Sequence, residues 1–160
     1  MTVKDAGVWT NISVISRNYM VFSGSLFSLY VLPKFAGIFT GKDFKNEVIS
    51  IYKTLLPIFG LGMLLVFFGK TIIVTLLYPG LDEMLPLFKW QLLGDFIRLA
   101  SLVLAHQFLA KKMVRNFIFS ELLSLALFYG LANYFVIEYG VEGVVIGHFI
   151  RYIIYFVVVL

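Results

Sequence analysis

The stretch FKWQLLGDFIRLASLVLAHQFLAKK, residues 88–112, decides the fold. Its long apolar run has the length and hydropathy of a membrane-crossing helix, about 20 residues. It nevertheless carries Lys89, Asp95, Arg98 and His106. An ionisable side chain turned toward lipid costs about 2.5–3.5 kcal/mol on insertion scales. At roughly 100° per residue, Gln91, Asp95, Arg98 and His106 fall on one stripe about 80° wide. The stripe is expected to face a protein interior or an aqueous cavity. Lys89 lies off it, near a helix end, where its ammonium can reach the interface.

The remaining chain supports a membrane setting. Of 160 residues, 61% are hydrophobic and 14% charged, and the mean hydropathy is +0.95. A soluble domain carries about 25% charged residues. Five stretches are long and apolar enough to span, near 12–32, 54–70, 85–105, 117–137 and 144–160. Backbone groups in lipid must be satisfied within the segment, and runs of this length indicate helices rather than barrel strands. The expected fold is an all-α integral membrane bundle of about five transmembrane helices. Pro33 is expected to close the first span, residues 37–53 to form a polar loop with an amphipathic start to the second helix, and EYGVEG (138–143) to make a tight turn. The second span has no ionisable residue before Lys70 and is expected to face lipid or pack peripherally. Both ends read as cut from a longer chain.

Charge sets the direction. Lys34, Lys42, Lys45 and Lys53 lie between the first two spans, and Lys111, Lys112 and Arg115 between the third and fourth. The other side has Lys4 and Lys70 beside Asp82, Glu83, Glu138 and Glu142. The positive-inside rule makes the two basic loops cytoplasmic and Met1 external. The net charge of +4 is modest and its distribution bears on orientation, so nucleic acid is not an expected partner.

Without cysteine, thiolate nucleophiles and cysteine metal sites are excluded. Two isolated histidines without carboxylate spacing make no metal site, and there is no nucleophile elbow, phosphate loop or cofactor motif. The chain reads as a non-enzyme. What stands out are bases within spans. Arg17 shares a stripe with Ser13, Gly24 and Ser28, Arg98 lies on the stripe of the third span, and Arg151 shares one with His148 and Tyr155. Acids are fewer: Asp95 and Glu121, with Ser124 beside Glu121 on the inward face of the fourth span. Arginines withdrawn from water bind phosphate through charge-assisted, often bidentate hydrogen bonds. Arg17, Arg98 and Arg151 are therefore the candidate binding residues for an anion such as a diphosphate. Asp95 and Arg98, at i and i+3, could instead neutralise each other as a structural ion pair.

DAGVW (5–9), YVLPKFA (30–36), LLPIFGL (55–61), KTIIVTLLY (70–78) and YGVEGVVIGHFIRYIIY (139–155) follow one another along the chain, with WQLLGDFIR (90–98) the most specific block. In this order they resemble the carboxy-terminal half of a bacterial lipid-linked oligosaccharide flippase, of the O-antigen and enterobacterial-common-antigen type. That family belongs to the multidrug/oligosaccharidyl-lipid/polysaccharide exporter superfamily. The resemblance implies one partial lobe of a twelve-helix, two-lobe transporter, helices eight to twelve, with the remaining helices outside this chain. It implies residence in the bacterial inner membrane and movement of an undecaprenyl-diphosphate-linked glycan, with polysaccharide polymerase machinery as a further partner. An ion gradient would drive the cycle, with Asp95 and Glu121 the candidate coupling acids. The alternatives are a multidrug exporter of the same superfamily, which would need a more acidic cavity, a membrane-embedded transferase, and a non-catalytic scaffold or assembly subunit.

Overall fold

A computed structural model describes residues 2–38 and 40–160, and among these the ordered elements are all helical. The expected outward placement of Met1 concerns a residue outside those described. Helix α1 (Val3–Leu26) begins at a capping box. The Thr2 hydroxyl accepts from the Asp5 N–H at 3.2 Å, and the Asp5 carboxylate accepts from the Thr2 N–H at 2.6 Å. The chain then widens into one π-helical turn, Phe27–Val31, and continues as α2 (Leu32–Ala36).

Pro33 does not close this helix as the sequence suggested. A proline in an α-helix crowds the carbonyl four residues back and offers no N–H. The π turn relaxes that conflict, the Leu32 N–H reaching back to the Phe27 carbonyl. The helix ends instead at Gly37.

Helix α3 (Gly41–Leu77) is capped by Thr40 and runs 37 residues through Pro57. It begins early in the stretch expected as a loop with an amphipathic helix start. A short 3-10 turn, Asp82–Met84, leads to α4 (Leu87–Ala110). Lys112, at φ 57°, takes the left-handed conformation that closes α4, with the Met113 N–H bonded to the Phe108 carbonyl at 2.7 Å.

Helix α5 (Val114–Val159) folds back on itself at Gly140, where φ is 56° and ψ −135°. A side chain would be strained there, and the glycine permits the reversal. The two arms, residues 114–139 and 141–159, pack antiparallel at backbone distance. A Cβ on Gly143 would lie 2.2 Å from the Phe135 carbonyl oxygen, and one on Gly147 3.0 Å from the Ala132 nitrogen. Small residues four apart are how apolar helices approach closely where lipid supplies no hydrophobic drive.

Helix α4 is the central element, buried through Leu87, Phe88, Leu99, Val103 and Ala105 and packed chiefly against α5. Helix α3 is peripheral, exposing Ile58, Leu61, Leu65, Phe68 and Leu76. It is tied to α4 by the Tyr52 hydroxyl, which donates to the Ala100 carbonyl at 2.9 Å. Among the described residues, three helices are long and apolar enough to cross a membrane: α3, α4 and α5, the last as the folded hairpin. The chain is an all-α membrane protein. Such broad apolar exposure is incompatible with water and ordinary in lipid.

Candidate functional site

Helical spacing brings one face of each of three segments together. On α1 the face is Trp9, Ser13, Ser16, Arg17 and Met20; on α4 it is Gln91 and Arg98. On the second arm of α5 it is His148 and Arg151. Among them, with Phe128 from the first arm, lies a cleft of about 380 Å³. Arg17, Arg98 and Arg151 all line it. Gly24 and Ser28, which share the Arg17 stripe in the sequence, are not among its lining residues.

None of the three arginines forms an ion pair among the described residues. The Arg151 guanidinium lies 4.1 Å from the centre of the Tyr152 ring and 4.9 Å from that of Phe128, and Arg98 lies 5.5 Å from Tyr152. Aromatic faces partly offset the charge of a guanidinium. They leave its N–H groups for other acceptors: Arg151 Nε is buried without a hydrogen-bond partner.

Asp95 sits against this cleft, fully buried. Its Oδ2 accepts from the Ser16 hydroxyl at 2.5 Å, from the Tyr19 hydroxyl, and from Gln91 Nε2 at 3.1 Å. Its Oδ1 lies 3.0 Å from His148 Nε2. The pairing of Asp95 with Arg98 that the i, i+3 spacing allowed is not formed. Both residues are on α4, but the carboxylate turns toward α1 and the second arm of α5, where four donors converge. That shell fills the acceptor sites of an ionised carboxylate and makes its burial tolerable. It also makes Asp95 the point at which three segments are joined.

Gly94 makes the contact possible. A Cβ there would lie 2.5 Å from His148 Cδ2 and 3.1 Å from the Phe149 Cα. Only a glycine lets the second arm of α5 come close enough for His148 to reach the carboxylate.

Glu121 stands apart from this group. It accepts a hydrogen bond from the Tyr155 hydroxyl at 2.9 Å and ties the two arms of α5 together. Ser124 is buried on the same face of that arm. His106 is also elsewhere, its Nδ1 2.6 Å from the Leu102 carbonyl and its ring 5.4 Å from that of Phe27. Lys89 reaches Glu142 at 3.2 Å, and the Trp90 indole N–H donates to the same carboxylate at 2.8 Å. Ser16, Tyr19 and Gly94 are among the members that the sequence reading missed. Ser16 and Tyr19 stand at i and i+3 beside Arg17, and a polar pair at that spacing was the available signal.

Over 153 residues, 95% of its length, the chain is 28% identical to the lipid III flippase of Escherichia coli (strain K12) and equally to that of Shigella flexneri. It spans 37% of the length of these relatives. No protein-family profile and no solved structure matches it. By sequence and by its apolar helices, the chain is similar to part of a bacterial membrane flippase.

Proposed function

We propose that the chain forms part of one lobe of a transporter that moves a lipid-linked oligosaccharide across the bacterial cytoplasmic membrane, and that the arginine cleft receives its diphosphate. The observation that carries this reading is the convergence of Arg17, Arg98 and Arg151 on one cleft, with no carboxylate paired to any of them among the described residues. Three uncompensated guanidiniums among apolar helices call for an anion. A diphosphate offers the oxygens that guanidinium forks bind in pairs.

The glycan and isoprenoid parts follow from likeness to the lipid III flippases, and the remaining length of those relatives would supply the other lobe. Substrate would meet the site where two bundles rock about their interface. Asp95 would serve as the coupling acid because it joins the three segments that the cleft separates, with Glu121 steadying the α5 hairpin. No bond is made or broken in this cycle, and the chain acts as a transporter rather than an enzyme. A drug-cation exporter would need acids lining the cleft, whereas Asp95 is enclosed by donors.

The test is transfer of radiolabelled lipid-linked oligosaccharide in proteoliposomes carrying the native transporter. Arg98→Ala and Arg151→Ala should each slow transfer about ten- to hundredfold, the worth of a charge-assisted hydrogen bond. Lysine at either position should rescue it only in part, because a point charge replaces a fork. Unchanged transfer in both alanine variants, at equal abundance, would remove the arginines from the mechanism.

A further inference from the structure

A second depression lies on the far side of α4, away from the arginine cleft. Gly60, Leu64 and Phe67 on α3 and Leu93 and Phe96 on α4 wall a groove of about 360 Å³. It runs from the level of Gly60, where Phe96 crosses, to that of Phe67, about 10 Å at 1.5 Å per residue. Leu64 and Leu93 are about half exposed along it, so it opens sideways to lipid.

One end of the groove is charged. Lys89 lines it, and the Lys70 ammonium lies 4.4 Å from the ring centre of Phe67, another lining residue. Snorkelling accounts for a lysine at an interface. It does not account for one lysine lining an apolar groove and a second, from the other helix, held against a ring that lines it, with too little negative charge. Glu142 is the carboxylate paired at that end, shared by Lys89 at 3.2 Å and the Trp90 indole at 2.8 Å. Lys70 makes no ion pair among the described residues. Lys4, which the charge distribution places on the same side of the membrane, is already paired with Glu83 at 2.6 Å.

We propose that this groove is a binding site for an anionic glycerophospholipid, its acyl chain along α3 and α4 and its phosphate between Lys70 and Lys89. Two ammoniums against one carboxylate leave a net positive charge, which a lipid of net negative charge satisfies and a zwitterionic one does not. The proposal is independent of what the arginine cleft transports.

Native mass spectrometry of the full chain, released from detergent and titrated with dioleoyl phosphatidylglycerol or dioleoyl phosphatidylethanolamine, tests it. Each lysine at a membrane surface contributes about a fivefold factor. The wild type should therefore retain phosphatidylglycerol on the order of tenfold better than phosphatidylethanolamine. Lys70→Gln with Lys89→Gln should erase that preference, while Lys89→Arg and Lys4→Gln should keep it. Leu93→Trp, which fills the groove with both lysines in place, should weaken phosphatidylglycerol binding. A preference absent from the wild type, or surviving in the double glutamine variant, would overturn the proposal, as would full binding in Leu93→Trp. Displacement of phosphatidylglycerol by an equimolar polyprenyl phosphate through the same lysines would assign the groove to an isoprenoid instead, and would equally overturn it.

Discussion

Gly143→Ala should prevent the α5 hairpin from closing. The new methyl group would lie 2.2 Å from the Phe135 carbonyl oxygen, 2.4 Å from its carbon and 2.7 Å from the Val136 nitrogen. These are backbone atoms of the opposing arm and cannot rotate away, so the arms must separate. Overpacking of side chains costs about 1–3 kcal/mol, and a backbone clash lies at or beyond the upper end of that range. The hairpin also carries His148 and Arg151, so the cleft would be lost with it. Thermal unfolding in detergent, followed by circular dichroism, should show a large fall in midpoint or no cooperative transition. Gly130→Ala is the control: nothing lies within 4 Å of its Cβ, and alanine in a helix interior should gain about 0.5–1 kcal/mol. A Gly143→Ala protein as stable as wild type would contradict the packing of the two arms.

The second large effect is expected at Asp95. Asp95→Leu leaves Ser16, Tyr19, Gln91 and His148 pointing at a side chain that accepts nothing, and each orphaned donor costs about 1–3 kcal/mol. That variant should fail to fold. Asp95→Asn should behave differently. Its amide oxygen can take the donors on the Oδ2 side, and its NH₂ can donate to His148 Nε2 once the imidazole carries its proton on Nδ1. The asparagine variant should therefore insert and fold, yet transfer substrate poorly and with a flattened dependence on pH. Full transfer with unaltered pH dependence would remove Asp95 from coupling. Adding Arg98→Gln should rescue neither variant, because His148 rather than Arg98 faces the carboxylate at 3.0 Å. Rescue by that double change would instead point to an ion pair formed in another state of the cycle.

Much of the cleft was legible before any coordinates. Ionisable residues within apolar runs must find an interior, and helical periodicity alone says which of them share a face. That reasoning brought Arg17, Arg98 and Arg151 forward from three separate spans, and the fold places all three around one cleft. The partner of Asp95 was not legible. Local spacing favours Arg98, three residues away, but Ser16, Tyr19 and His148 lie 79, 76 and 53 residues distant. Such distances are settled by packing, not by periodicity. Gly94 was silent for a related reason: a glycine beside an aspartate reads as a weak point in a helix until the facing histidine is known.

Helix ends were the least legible feature. Pro33 reads as a terminator, yet a single π turn carries the helix past it to Ala36. The stretch 37–53 reads as a polar loop with an amphipathic start to the next helix, and a Thr40 cap sets that start as early as Gly41, with Lys42, Asp43, Lys45 and Lys53 on the surface. In both cases the backbone found a local solution that composition does not record. Gly140, by contrast, was marked as a turn by its own neighbourhood in the sequence, and there the chain reverses.

The central claim, that three arginines from three segments bind one diphosphate, is tested most directly by binding rather than by transport. Farnesyl diphosphate and farnesol, titrated calorimetrically into the full chain in detergent, differ only in the diphosphate. The wild type should bind the diphosphate and show no measurable affinity for the alcohol, with affinity falling as salt is raised. Arg17→Gln, Arg98→Gln and Arg151→Gln combined should weaken diphosphate binding by about a thousandfold or more, at roughly 1.5–3 kcal/mol for each charged hydrogen bond lost. Equal binding of diphosphate by the wild type and by the folded triple variant would contradict the account.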